Sequence, residues 1–201
     1  MNNIYISWLY IIKIQSNSIL VLIDVQKCAS DPVWGRRKNP GAEKFMKNVL
    51  DNFRNSGLPV IHVRHEDSMD PESLFRKGKS TLDFEDEVRP KEGETIITKN
   101  TSNAFIGTNL EELLRKLGNP VVFYAGLLTD QCVSTTVRMS GDLGFKSYLL
   151  GDCCAAYDLE DEKGNTIPAE IVHNVHLASV NGAFADVINS SDLDFNLFFG
   201  F

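Results

Sequence analysis

The sequence predicts an α/β protein: a three-layer α/β/α sandwich on a doubly wound, six-stranded, mostly parallel sheet. Two observations carry that prediction. Short unbroken apolar runs such as Ser18–Val25 (SILVLIDV) recur along the chain, as strands buried on both faces require. Segments with helical apolar spacing fall between them over short connections, a pattern that implies parallel strands joined by helical crossovers. The right-handedness of such crossovers then favours helices on both faces of one sheet.

Ser18–Val25 is the first strand. Pro40–Ser56 follows as a helix, with Ala42, Phe45, Met46, Val49, Leu50 and Phe53 at helical spacing and Gly57 as its C-terminal cap. Leu58–Arg64 (LPVIHVR) is the second strand. The polar stretch His65–Gly93, punctuated by Pro71, Gly78 and Pro90, is a long loop of the kind that usually carries function. Glu94–Lys99 is the third strand, Asn109–Leu117 a helix, Pro120–Ala125 the fourth strand, and a helix runs from Cys132 to Leu143. Lys146–Leu150 is the fifth strand. A loop precedes the helix Ala169–Phe184, and Ala185–Asn189 is the sixth strand.

With 201 residues and 43% hydrophobic content, the chain is expected to form one domain with a sizeable core. Its net charge is −7 and its charges are interspersed, which argues against a nucleic-acid partner. The four cysteines, Cys28, Cys132, Cys153 and Cys154, form no CxxC or zinc spacing, and a chain of this size with a strong core fits a reducing, cytoplasmic setting. The apolar run Ile4–Ile14 has about half the ~20 residues of a membrane span and lacks signal-peptide flanks, so no membrane partner is expected. Residues 1–16 read as an apolar N-terminal extension to a domain over 17–201. That run and the apolar Phe195–Phe201 are awkward if exposed, so at least one is expected to be buried against the domain or in an interface.

In an open parallel sheet, ligands sit at the carboxyl ends of the strands. Asp24 stands near the end of strand one inside an apolar run, Lys99 ends strand three, and Cys132 follows strand four at a helix start. A thiol attacks as its thiolate. A helix N-terminus and a nearby ammonium both favour that anion, and a carboxylate can take and return its proton. Each residue alone reads as packing, capping or solvation; together, at one sheet edge, they make a nucleophilic set.

The runs Ile19–Gln26 (ILVLIDVQ), Ile97–Phe105 (ITKNTSNAF) and Tyr124–Val137 (YAGLLTDQCVSTTV) resemble the three signature segments of the isochorismatase-like cysteine hydrolases. Gly144–Ala156 and His176–Val187 are also similar, so the resemblance spans roughly Asn17–Ser190. It implies a catalytic triad of Asp24, Lys99 and Cys132 and a thioester-type intermediate. It also implies a cis peptide at Leu127–Leu128, and an oxyanion hole from the backbone N–H groups of Leu128 and Cys132. The segment after strand two, His62-Val63-Arg64-His65-Glu66-Asp67, lacks the Asp-x-His of metal-dependent nicotinamidases. No metal and no cofactor are therefore expected, and the segment Arg64–Phe105 resembles the metal-free branch that includes streptothricin-hydrolase-like proteins. His62 and His65 lie three apart and should face opposite ways, as structural or surface residues.

Candidate substrate contacts are Phe105, Gln131, Tyr157 and Trp34, with Gln26 read as holding loops. The resemblance further implies a small-molecule substrate and a homodimer or higher homo-oligomer. The expected reaction is hydrolysis of a small amide or related C–N bond. The alternatives are cleavage of a vinyl ether, as by an isochorismatase, and a non-catalytic small-molecule-binding protein of the same fold.

Overall fold

The computed structural model describes residues 11–67 and 69–196. Six parallel strands make up its centre: β1 (Ser18–Ile23), β2 (Val60–His65), β3 (Thr95–Lys99), β4 (Val121–Leu127), β5 (Ser147–Tyr157) and β6 (Asp186–Ile188). They lie in the order β6-β5-β4-β1-β2-β3, and every neighbouring pair is parallel. Helices α1 (Ala42–Asn55), α2 (Leu110–Lys116), α3 (Ser134–Asp142) and α4 (Ala169–Val180) complete the layers.

All six residues of β1 are buried, because the strand is covered on both faces. Leu20 and Leu22 join one core with Met46, Val49, Leu50 and Phe53 of α1. Ile19, Val21 and Ile23 join the other with Leu110 and Leu114 of α2 and Val137 of α3. Alternate side chains pointing to opposite faces thus turn an unbroken apolar run into two cores, each fully buried Leu or Ile contributing roughly 1.5–3 kcal/mol. Phe45 is the exception within α1: it is exposed, one position off the buried stripe. The first-turn Glu43 and last-turn Arg54 of α1 agree with its dipole. Arg54 reaches out to Glu94 at 2.7 Å, and Glu94 also meets His62 at 2.9 Å, tying α1 to β2 and the start of β3. Burial works against the Glu94 anion, but hydrogen bonds from Arg54, the Lys91 N–H and His62 outweigh it and hold the carboxyl at about 2.

Three elements differ from the sequence prediction. β5 runs to Tyr157 rather than Leu150: beyond Gly151-Asp152 the strand continues beside β4 and pairs antiparallel with a seventh, short strand, Arg37–Lys38. α4 ends at Val180, not Phe184. The helix expected from Cys132 is preceded by a π-helical turn, Thr129–Val133, with α3 starting at Ser134.

The described parts of both apolar termini fold back onto the domain. Ile12–Lys13 pairs with Leu193–Asp194, Ile14 is buried, and Ile12, Leu193 and Phe195 pack against the α1-side core. Residues 1–10 and 197–201 lie outside the described residues.

At the centre, β1 and β4 are neighbours where the chain reverses its direction of progress across the sheet, which opens a crevice at their carboxyl ends. Gly126 makes the close approach there: its φ is +143°, and a Cβ at this position would lie 2.1 Å from the Ile23 carbonyl oxygen.

Candidate active site

Asp24 follows directly on β1. Its backbone is left-handed (φ +51°), a conformation Asp tolerates better than most residues, and its N–H donates to the Val63 carbonyl at 2.9 Å. Gln26, fully buried, accepts from the His65 N–H (2.8 Å) and donates to the carbonyls of His65 and Leu82. It clamps the end of β2 to the long loop, the loop-holding role expected for it.

Lys99 ends β3 in register with His65 on β2. Its Nζ lies 2.6 Å from Asp24 Oδ2, with both side chains buried. It also donates to the Thr101 carbonyl at 3.0 Å and lies 3.4 Å from Cys132 Sγ and 3.2 Å from His65 Nδ1. Apart from that ion pair, neither Asp24 oxygen has a hydrogen bond of good geometry, which leaves the carboxylate free to exchange a proton with the thiol beside it.

Cys132 is carried by the π-helical turn that follows the Leu127–Leu128 peptide, which is cis. Such one-turn π segments recur at functional sites. The turn is held from α4: the buried His173 Nδ1 meets Thr129 Oγ1 at 2.8 Å, and its Nε2 faces Asn39. The Leu128 N–H makes no backbone hydrogen bond among the described residues, and it stands one peptide beyond the end of β4.

Electrostatics correct one expectation. The sequence argument has Lys99 and the helix start favouring a thiolate. Burial, and then the charge of Asp24, instead push the Cys132 thiol up to about 12 against the opposing pull of Lys99. Burial likewise raises Asp24 above its usual range despite Lys99. The resting state is a neutral thiol beside a carboxyl that can accept its proton.

A cavity of about 130 Å³ opens on these groups. Asp24, Cys132, His65, Gln131 and Ser102 supply its polar wall, and Ala29, Trp34, Phe75, Leu127 and Leu128 its apolar one. Of the four substrate contacts proposed from sequence, the structure brings Trp34 and Gln131 to the cavity. It places Phe105 and Tyr157 elsewhere. Phe105 is buried and stacks on Phe145 at 6.2 Å, and the Tyr157 hydroxyl donates to the Ala29 carbonyl at 3.0 Å. Sequence reasoning missed His65, Phe75 and Ser102. His65 ends a strand just as Asp24 and Lys99 do, and the same strand-end rule points to it. His62, by contrast, turns away to Glu94, so the two histidines do face apart. Among the described residues, no group of three or more His, Cys, Asp or Glu is placed to hold a metal ion.

The sheet order and the crevice at its reversal define a three-layer α/β sandwich with a cavity at the carboxyl ends of the strands. The chain belongs to the isochorismatase family of hydrolases: residues 18–191 match the Isochorismatase domain. It is 38% identical over 179 residues to the uncharacterized isochorismatase family protein YrdC of Bacillus subtilis, covering 89% of this chain and 95% of that one. It is 26% identical over 155 residues to streptothricin hydrolase of Streptomyces noursei, covering 75% of this chain and 54% of that one. A crystal structure of an isochorismatase-family protein from Chromobacterium violaceum superposes with a TM-score of 0.86 at 41% identity, covering 90% of this chain and 94% of that one.

Proposed function

We propose that the protein is a cysteine-dependent hydrolase of a small, neutral amide or related C–N substrate. The observation that carries this reading is the meeting of Lys99 with Asp24 and Cys132 of the cavity wall, with Nζ 2.6 Å from the carboxylate and 3.4 Å from the sulfur. Asp24 takes the thiol proton as Sγ attacks the carbonyl carbon. The N–H groups of Leu128 and Cys132 meet the charge that develops on the carbonyl oxygen. Protonated Asp24 returns the proton to the leaving nitrogen as the C–N bond breaks, and a thioester remains on Sγ. Water then adds to the thioester and gives a proton to Asp24. The C–S bond breaks, and the departing sulfur recovers that proton. Lys99 stabilises each anion in turn.

The cavity supports a compact neutral substrate. Its volume is close to the roughly 150 Å³ that holds a benzene ring. Its lining residues include no Arg or Lys, and burial followed by the Lys99 charge lowers the pKa of His65, which keeps that ring uncharged. Lys99 beside it is already paired with Asp24, so a substrate bearing carboxylates, such as isochorismate, would be desolvated there with no counter-ion among the lining residues, which favours C–N cleavage over the vinyl-ether reading. The likeness to streptothricin hydrolase supports hydrolysis. No metal enters this mechanism, and activity is expected to survive chelation.

A screen of cyclic amides, nicotinamide and isochorismate tests the reading; turnover of isochorismate alone would sink it. Cys132→Ala is expected to abolish amide hydrolysis while the fold persists, since it removes one small, half-buried atom at a cavity wall. Residual amide turnover in that variant would exclude Cys132 as the nucleophile. The reading includes a cytoplasmic setting, supported by four unpaired thiols, and a homo-oligomer, supported by the exposed Ile171 and Val175 on α4. A monomer mass by light scattering would contradict the latter.

A further inference from the structure

Three elements meet behind the π-helical turn that carries Cys132. Asn39, just after the short strand Arg37–Lys38, donates from Nδ2 to the carbonyls of Cys154 at 2.9 Å and Gly151 at 3.5 Å on β5. The same nitrogen faces His173 Nε2 on α4 at 3.4 Å, and His173 Nδ1 lies 2.8 Å from Thr129 Oγ1 at the start of the turn. We infer that His173 is a positioning residue: through the Thr129 hydroxyl it sets the direction of the Leu128 N–H toward the oxyanion, and it leaves the reactivity of the sulfur to Asp24 and Lys99.

The hydrogen bonds fix the state of the ring. The two carbonyls around Nδ2 decide which end of the Asn39 amide is nitrogen. His173 Nε2 therefore faces an N–H group and can only accept. A proton on Nε2 would oppose the amide hydrogens, so the ring proton sits on Nδ1 and is donated to Thr129 Oγ1. Burial, followed by the charge of Lys38, lowers the pKa of His173, which keeps the ring neutral.

The place of Thr129 in the chain says what this bond controls. Leu128 has Leu127 on one side and Thr129 on the other. Leu127 ends β4 and pairs with Ala155 of β5, so that side is fixed by the sheet. On the other side, the Leu128 carbonyl accepts from the N–H groups of Gln131 and Val133 at 3.1 and 3.2 Å. Those bonds lie within the turn and do not tie it to anything outside. The Thr129 hydroxyl does, because its partner belongs to α4. Cys132 has anchors of its own: Lys99 Nζ lies 3.4 Å from its sulfur, and the next residue, Val133, is buried in the core. Loss of the His173–Thr129 bond therefore falls first on the Leu128 N–H.

The inference rests on the proposed role of Cys132, and two reagents for that thiol separate positioning of the oxyanion donor from reactivity of the sulfur. With para-nitrophenyl acetate, an S–C bond forms through an oxyanion and nitrophenolate leaves. With iodoacetamide, an S–C bond forms as iodide leaves, and no oxyanion arises. Asp24 takes the thiol proton in both. The modification of Cys132 is followed by peptide mass spectrometry in the parent, Thr129→Val and Thr129→Ser. Val keeps the shape of Thr and removes the acceptor; Ser keeps the hydroxyl. Acetylation of Thr129→Val is expected to fall about tenfold, part of the roughly hundredfold or greater loss that follows deletion of an oxyanion donor. Its labelling by iodoacetamide is expected to stay within about twofold of the parent, since thiolate supply is unchanged. Thr129→Ser is expected to follow the parent with both reagents. Unchanged acetylation in Thr129→Val, an equal fall with both reagents, or a Thr129→Ser as slow as Thr129→Val overturns the inference. Should Thr129→Val fail to fold, long-range 1H–15N correlation in the parent decides the matter: a protonated Nδ1 with a bare Nε2 on His173 supports the inference, and the reverse overturns it. Failure of the proposed function is read separately, as no acetyl uptake at Cys132 in the parent, and it takes the inference with it.

Discussion

Replacing Lys99 with Met keeps the length and volume of the side chain and deletes its charge, which isolates the contribution of the ammonium to the buried pair. At 2.6 Å and an effective dielectric constant of about 20, the gross attraction is about 6 kcal/mol, spent largely against the desolvation of two buried ions. Without Lys99, Asp24 escapes an uncompensated buried charge by taking a proton. Relative to an unfolded Asp at 3.8, that protonation costs about 4 kcal/mol at pH 7 and about 2 kcal/mol at pH 5. A carboxyl raised in the folded state contributes stability that is present below its unfolded pKa and is lost as pH rises. The destabilisation of Lys99→Met is therefore expected to grow from pH 5 to pH 7, reaching about 4 kcal/mol there, within the range for breaking a buried pair. Adding Asp24→Asn to Lys99→Met removes the titrating group, and most of the loss should return. Urea unfolding of the two variants and the parent at several pH values measures this. A penalty independent of pH, or one that Asp24→Asn leaves in place, refutes the electrostatic account of the pair.

Gly126→Ala puts a Cβ 2.1 Å from the Ile23 carbonyl oxygen at a backbone φ of +143°. The β1–β4 junction must move, and a loss above about 4 kcal/mol is expected; a melting temperature close to that of the parent would contradict it. Trp34→Ala removes a cavity wall and the 2.7 Å hydrogen bond from Nε1 to the Cys28 carbonyl. KM is expected to rise roughly tenfold with kcat changed less, as for lost binding contacts worth about 1–2 kcal/mol, and an equal fall in kcat would place Trp34 in the chemistry instead.

The sequence by itself determined the six parallel strands and pointed to three residues that the structure brings together, Asp24, Lys99 and Cys132. A strand buried on both faces must be apolar, so Asp24 and Lys99 stood out at strand ends, and the same topology put Cys132 at the neighbouring edge. Their polarity against an apolar background is a local signal, readable without coordinates. Tertiary structure decided what depends on long-range placement. His65, Phe75 and Ser102 lie in or beside polar loop segments where nothing local sets a pocket residue apart from a solvated one. His65 and Phe75 reach the cavity where Gln26 fastens the end of β2 to the long loop, and Ser102 reaches it from the segment just beyond β3. Phe105 and Tyr157 sit near the site in sequence order, but packing against Phe145 and a hydrogen bond to Ala29 take them out of the cavity. The second half of β5 was hidden because its pairing with Arg37–Lys38 and with β4 outweighs the turn propensity of Gly151-Asp152. The state of the thiol also waited on the structure, since its sign is set by how far burial and the Asp24 charge outweigh Lys99. That balance of distances and exposure has no counterpart in residue order.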